Sequence, residues 1–160
     1  MISEYKKTDS SKILQIINEA SLKYKGVIPD NCWNEPYMSE QELINEFNDG
    51  VCMYGYQDNN TLVGVIGVQE VKDVILIRHA YTLSSYQSKG VGSALLEYLL
   101  KKNKNSRILV GTWKNATWAI QFYKKFNFIL HSKEETTLLL KKYWNISTKQ
   151  IENSVVLERC

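Results

Sequence analysis

The chain has 160 residues, of which 44% are apolar, and its formal net charge is only +3. This length predicts a single domain, residues 1–160, able to bury a core of its own. No apolar run reaches the ~20 residues of a membrane span, the first residues lack the apolar centre of a secretory signal, and no basic stripe interleaved with aromatic residues accompanies the lysines. We therefore expect a cytoplasmic protein that binds neither membrane nor nucleic acid.

The three cysteines, Cys32, Cys52 and Cys160, are an odd number with no CxxC spacing, and the chain has only two histidines. This pattern predicts reduced thiols rather than a disulfide framework. It also predicts that the protein holds no metal ion.

The first third of the chain predicts a strand and two helices. A short strand is expected near residues 2–6, and apolar residues at helical spacing indicate a helix within residues 8–24. Both prolines lie in residues 25–38, which predicts a loop or broken helix. Ser39 and Glu42 then form a capping box that predicts the start of a second helix.

The rest of the chain begins with three strand patterns joined by short turns, which predict antiparallel pairing. Strand and helix patterns alternate after that, as in βαβ units. The fold class expected is α/β or α+β, with a mixed, mostly antiparallel central sheet and helices on both faces. Strands are predicted at 51–57, 61–71, 74–83, 107–112, 128–131 and 154–159, and helices at 91–102, 115–126 and 136–144.

Residues 87–92, Gln-Ser-Lys-Gly-Val-Gly, lie between a predicted strand and an apolar helix. The first N–H groups of a helix have no intrahelical partners, and Gly90 and Gly92 remove side chains that would block their approach to a ligand. With the helix dipole and the cation of Lys89, this favours a bound phosphate. A dinucleotide fingerprint would need glycine at Leu95, and no Gly-Lys-Ser/Thr follows, so both common nucleotide motifs are excluded.

The spacing Gln-x-x-Gly-x-Gly at 87–92 resembles the pyrophosphate-binding loop of the GNAT superfamily of acyl-CoA-dependent N-acyltransferases. The segment NATWAIQFYKKFNF is similar to the second signature of that family, with Asn115, Ala119 and Tyr123 in register. Relatives usually carry Gly-Phe where this chain has Asn127-Phe128. Because asparagine tolerates the left-handed conformation best after glycine, we predict a positive φ at Asn127.

The resemblance implies a GNAT-like sheet in which a splayed parallel strand pair holds acetyl-CoA, the co-substrate. The pantetheine arm would pair with the first of these strands like an added strand. Asn115 would bond to the arm, and small Ala119 would leave room for it. The strand contacts implied are Ala80, Tyr81 and Thr82, and those of the pyrophosphate loop are Gln87, Ser88, Lys89, Gly90, Val91, Gly92 and Ser93.

The resemblance also implies transfer of an acetyl group to a primary amine of a small molecule or peptide by direct attack, with Tyr123 as general acid. The base is open. Relatives carry it at positions that fall on Leu76 and Arg78, which cannot serve. This leaves His79, Glu70 or ordered water, and His79 should face away from Arg78 unless a bulge shifts the strand.

The acceptor surface is expected from aromatic residues of the variable front part, Tyr24, Trp33 and Tyr37, together with Trp113, although these aromatics could equally pack a lid. Arg78 would favour an acidic acceptor if it faces the cleft. A catalytically inactive acyl-CoA-binding sensor or regulatory module is the alternative function. The lack of a base at the strand positions where relatives carry one supports that alternative, whereas the presence of Tyr123 argues against it. The sequence leaves open the acceptor, the acyl chain, and whether the protein is a monomer or homodimer.

Overall fold

The computed structural model describes all 160 residues. None of the helices combines the length and apolar character needed to cross a membrane. The strands are β1 (Ile2–Tyr5), β2 (Cys52–Asp58), β3 (Thr61–Val71), β4 (Val74–Thr82), β5 (Ile108–Trp113), β6 (Ile129–Leu130) and β7 (Ser154–Arg159). The α-helices are α1 (Ser10–Ala20), α2 (Glu40–Asn48), α3 (Val91–Lys102), α4 (Thr117–Lys125), α5 (Lys133–Tyr143) and α6 (Thr148–Glu152).

The seven strands form one mixed sheet in the order β1-β2-β3-β4-β5-β7-β6. The pairs β1/β2, β2/β3, β5/β7 and β6/β7 are antiparallel. Strands β4 and β5 are the splayed parallel pair, and near their starts the N–H of Ile75 donates to the carbonyl of Arg107 at 2.9 Å. The predicted fold class is confirmed.

Most elements begin and end close to their predicted positions. The capping box at α2 is confirmed, because Ser39 Oγ accepts from the N–H of Glu42 at 3.2 Å and Glu42 accepts from the N–H of Ser39 at 3.3 Å. Helix α4 begins at Thr117 rather than at residue 115, since the N–H of Ala116 closes a turn onto Trp113 at 3.0 Å. The short helix α6, which Ser147 caps, was not expected from the sequence.

The end of α4 has the expected conformation. Asn127 has φ 67°, so the prediction of a left-handed residue there is confirmed. The N–H of Asn127 donates to the carbonyl of Lys124 at 3.1 Å, and that of Phe128 donates to Tyr123 at 3.2 Å. These bonds satisfy carbonyls at the helix end, so asparagine terminates α4 in place of the usual glycine.

The chain divides into two compact units, each of which is discontinuous in sequence. The first comprises Met1–Lys23, Asn34–Glu70 and Ile77–Lys104, and the second comprises Tyr24–Trp33, Val71–Leu76 and Asn105–Cys160. The single domain over residues 1–160 stays a prediction.

In the first unit, α1 and α2 contribute apolar side chains to one core together with β1, β2 and β3. Tyr5 lies in this core with 7% of its surface exposed, and its hydroxyl has no hydrogen-bond partner. A Cβ on Gly55 would come within 2.5 Å of the Tyr5 ring, so this glycine makes room for it. The buried core residues are Tyr5, Ile13, Ile16, Ile17, Met38, Leu43, Val51, Met53, Leu62 and Val65.

The second unit has a core of Val74, Leu76, Leu109, Leu140, Tyr143 and Val156. Beside it, Arg107 donates to both oxygens of Glu158, at 2.6 and 3.0 Å. The hydrogen bond from Arg107 lowers the pKa of Glu158 to about 2. The ring of His131 lies between Glu158, at 2.7 Å, and Glu135, at 2.5 Å. These charged groups link the sheet end of this unit to the start of α5.

We predict that Tyr5→Phe leaves the protein as stable as the wild type, or up to about 1 kcal/mol more stable, because the change removes a buried hydroxyl that makes no bond. Urea unfolding measures this. Tyr143→Phe is the matched control, since the Tyr143 hydroxyl donates to Asp73 at 2.7 Å and its loss should cost about 1 kcal/mol. Equal losses in both variants would contradict the assignment.

Candidate functional site

The polar loop that follows β4 lies in the first unit and leads directly into α3. Ser88 has φ 64° and Gly90 has φ 84°, so two residues of the loop are left-handed. Such alternation turns successive N–H groups toward one side of the chain and makes a concave anion site. A Cβ on Gly90 would meet no atom within 4 Å, so the space beside this residue is open.

The start of α3 has no side-chain cap. Its first intrahelical hydrogen bond runs from the N–H of Ala94 to the carbonyl of Gly90 at 3.0 Å. The N–H groups of Val91, Gly92 and Ser93 precede that bond and have no partner within the helix. Together with the positive end of the helix dipole they can hold an anion, so the structure brings the predicted residues 88–93 into one arrangement.

Two side chains hold in place the segment that leads from β4 into this loop. The Gln87 amide donates to the carbonyl of Thr82 at 3.3 Å, which closes the chain between strand and loop. Glu19 of α1 accepts from the N–H of Ser84 through both oxygens at 3.1 Å and from its hydroxyl at 2.5 Å. Glu19 was not identified from the sequence, because nothing in the local pattern relates it to a residue 65 positions away.

The other predicted groups of the first unit lie along the last part of β4 and in the loop. Ala80 is exposed, whereas Tyr81 and Thr82 are half-buried. Tyr81 packs against the core of this unit. Lys89 is exposed, and its Nζ lies 5.2 Å from the ring centroid of Tyr86.

The residues of the second signature lie in the second unit. Asn115 is exposed, with its amide nitrogen 3.5 Å from the carbonyl of Val27. Ala119 and Tyr123 are four residues apart in α4, so they share a face of the helix. The Tyr123 ring packs against Phe122 and Phe128, with centroids 5.2 and 5.5 Å away.

Tyr123 is only 5% exposed. Burial raises the pKa of its phenol far above the ordinary value, and the neighbouring Tyr24 raises it further. The phenol therefore keeps its proton at every physiological pH and is available as a donor. Tyr24 stacks on Trp118, with ring centroids 5.8 Å apart, so an aromatic pair lies near this tyrosine within the second unit.

The strand alternation expected for β4 is interrupted at His79, which has φ 52°. Arg78 Nη2 lies 3.2 Å from Glu46 Oε1, and His79 Nε2 lies 2.5 Å from the same oxygen. Arg78 and His79 therefore bond to the same carboxylate instead of pointing to opposite faces of the sheet. This is the arrangement expected only if the strand alternation is shifted at this point. Glu46, on α2, was not identified from the sequence.

The other positions considered for the base differ in their surroundings. Arg78 also donates to Gln69 at 3.1 Å, so its charge is matched within the unit, and the expected preference for an acidic acceptor loses its support. Leu76 is fully buried, and Glu70 is exposed near the end of β3.

No group of three or more His, Cys, Asp or Glu side chains is arranged to hold a metal ion.

A sequence model of the acetyltransferase (GNAT) family matches residues 13–128. The chain belongs to this family. The match includes both the loop before α3 and the signature in α4. No curated protein matches the sequence significantly.

Solved structures with the same fold include three acetyltransferases at low sequence identity. The PaiA N-acetyltransferase of Thermoplasma acidophilum, crystallised with coenzyme A, is 18% identical, with a TM-score of 0.72 over 99% of this chain and 97% of that one. A GNAT acetyltransferase from Staphylococcus aureus is 16% identical, with a TM-score of 0.74 over 99% and 97%. The ribosomal-protein-S18-alanine N-acetyltransferase of Escherichia coli is 18% identical, with a TM-score of 0.69 over 99% and 91%.

Alkaline unfolding should report the burial of Tyr123. The unfolded chain loses the phenol proton near pH 10, whereas the folded protein retains it, so rising pH favours the unfolded state. Relative to Tyr123→Phe, the wild type should lose about 1 kcal/mol of stability between pH 10 and pH 11. Urea titrations at both pH values test this, with Tyr56→Phe as a control at a half-exposed position. A difference that does not change with pH would contradict the assignment.

Proposed function

We propose that the protein is an N-acetyltransferase that moves the acetyl group of acetyl-CoA to a primary amine of a small molecule or peptide. The observation that carries the proposal is the start of α3, where N–H groups without helical partners follow a loop with two left-handed residues. Membership of the acetyltransferase family and the coenzyme A bound to the Thermoplasma relative support the same ligand.

In this proposal the pyrophosphate of acetyl-CoA binds the loop of Gln87, Ser88, Lys89, Gly90, Val91, Gly92 and Ser93. The anion fits there because the space beside Gly90 is open and the local charge is positive. The pantetheine arm follows Ala80, Tyr81 and Thr82, the side chain of Asn115 bonds to it, and Ala119 leaves room for it. No metal ion takes part.

The transfer proceeds by direct attack. A neutral amine attacks the acyl carbon, so that a C–N bond forms and the C–S bond breaks. Tyr123 donates its proton to the departing thiolate, and the proton that the amine nitrogen loses on becoming an amide restores the phenol. Burial suits Tyr123 to this role, since a phenol that stays protonated can donate at neutral pH.

The alternative is a regulatory module that binds acyl-CoA without transferring the acyl group. Release of free thiol from acetyl-CoA separates the two functions when it is measured with a panel of polyamines, amino acids, small amines and peptides. Calorimetry with CoA on the same protein sample is the companion measurement. Binding without thiol release for every amine would favour the module. A cytoplasmic location and a monomeric or homodimeric state remain predictions.

Gly92→Val tests the phosphate loop. A branched side chain in the first turn of α3 intrudes where the backbone must approach the pyrophosphate, so we expect CoA binding to be lost while the protein stays folded. Calorimetry and circular dichroism give the two readouts. Glu97→Val, at an exposed position of the same helix, controls for the helix cost of a β-branched residue and should bind CoA normally. Unchanged affinity in folded Gly92→Val would place the phosphates elsewhere.

Tyr123→Phe tests the acid. The ring and its packing against Phe128 remain, so stability at pH 7 should fall by no more than about 1–2 kcal/mol. Turnover should fall by a factor on the order of 10²–10⁴, with little change in acetyl-CoA affinity. Steady-state kinetics and calorimetry measure the two quantities. Turnover within about threefold of the wild type would make Tyr123 a packing residue, with the thiolate protonated by solvent.

A further inference from the structure

A polar cluster in the first unit joins α2, β3 and β4. Glu46 of α2 lies at its centre and is bonded to His79 and Arg78 of β4 through one oxygen. Gln69 of β3 accepts from Arg78 at 3.1 Å, and its own amide donates to the carbonyl of Asp49 at 3.1 Å. The charged groups in the cluster are therefore Glu46 from α2 and Arg78 from β4, while β3 contributes a neutral amide.

The backbone at this cluster is held in a strained conformation. A left-handed residue other than glycine costs free energy, and such residues persist where the surrounding structure enforces them, often at functional sites. Gly67 of β3 makes room beside this segment, because a Cβ there would lie 2.8 Å from the carbonyl oxygen of Arg78. The absence of that side chain lets β3 and β4 approach closely just before His79.

The hydrogen bonds determine which nitrogen of His79 carries the proton. Burial raises the pKa of Glu46, but the hydrogen bond with His79 and the charges of His79 and Arg78 outweigh it, so the pKa is lower than usual. An ionised carboxylate only accepts hydrogen bonds, so Nε2 of His79 must be the donor. In a neutral imidazole Nδ1 then keeps its lone pair and can accept a proton.

We propose that His79, oriented by Glu46, accepts the proton of the incoming ammonium group and so supplies the base of the acetyl transfer. This inference rests on the proposed function. His79 immediately precedes Ala80, Tyr81 and Thr82, the proposed pantetheine residues. Because the phosphate loop follows the carboxyl end of β4, the arm runs back along the strand and brings the thioester end toward His79.

The proton balance is simple. Nδ1 of His79 takes one proton from the ammonium group, which leaves a neutral amine and an imidazolium. Glu46 stabilises the imidazolium through Nε2–H. After transfer the imidazolium releases its proton to solvent, which accounts for the one proton that the overall reaction liberates when the acceptor enters as an ammonium ion. Glu46 does not touch the substrates, so its role is positioning.

The first test is His79→Asn, because asparagine tolerates the left-handed conformation and removes the imidazole. The expected result is a fall in kcat of at least about 10², with unchanged CoA affinity and loss of the acid limb of the pH–rate profile. Added imidazole should restore part of the rate. His131→Asn is the matched control, since it removes the other histidine of the chain, which lies between Glu135 and Glu158 in the second unit.

Glu46→Gln tests the positioning role. It keeps the shape of the side chain but loses the charge that selects the tautomer, so we expect kcat to fall by about 10–10² and the acid limb to shift, with KM for acetyl-CoA unchanged. If Glu46 only stabilises the fold, Glu46→Gln should lower the melting temperature and leave the acid limb of the pH–rate profile at the same pH as in the wild type.

A readout independent of activity comes from ¹⁵N NMR of the histidine rings in the free wild-type protein. When its imidazole is neutral, His79 should show a protonated Nε2 and an unprotonated Nδ1, and Glu46→Gln should reduce that preference. A neutral imidazole protonated at Nδ1 in the wild type would overturn the inference. So would an active His79→Asn enzyme with wild-type kcat and an unchanged acid limb. If no amine releases thiol from acetyl-CoA, the proposed function fails instead, while the NMR result still tests the tautomer.

Discussion

The start of α3, which has no side-chain cap, is the constraint around which the proposed phosphate site is arranged. Helices α2, α5 and α6 each begin with a serine whose hydroxyl accepts a backbone N–H, which contributes about 1 kcal/mol to a helix. Helix α3 follows left-handed Gly90 and, like α1 and α4, has no side-chain cap. Its first N–H groups have no acceptor within the helix. The bonds that Glu19 and Gln87 make hold the chain before the helix and do not involve these N–H groups.

The second unit supplies a different kind of group. Tyr123 lies among aromatic rings and retains its proton because burial disfavours the phenolate. The loop of the first unit offers backbone donors to an anion, whereas α4 offers a neutral donor from an apolar surrounding. In the proposed function these two groups have separate roles, since one end of acetyl-CoA carries phosphates and the other end releases a thiolate.

Local patterns in the sequence were sufficient for most of the fold. The capping box at Ser39, the glycine loop before α3 and the left-handed Asn127 each follow from residues that lie within a few positions of one another. Glu46 and Glu19 could not be found in this way, because each acts on a residue distant in sequence. The left-handed conformation of His79 was also hidden, since no turn residue or glycine in the strand pattern around it indicates a positive φ.

The division of the chain into two discontinuous units has a consequence for how the protein is made. Every residue of the first unit has been synthesised by Lys104, whereas the second needs Tyr24–Trp33, Val71–Leu76 and the final segment through Cys160. During translation the first unit is therefore complete while the second still lacks most of its core. Until residues 105–160 have been made, the two early segments of the second unit lack the partners with which they pack. A cut after Lys104 keeps the whole first unit in one fragment, whereas no single cut leaves the second unit intact.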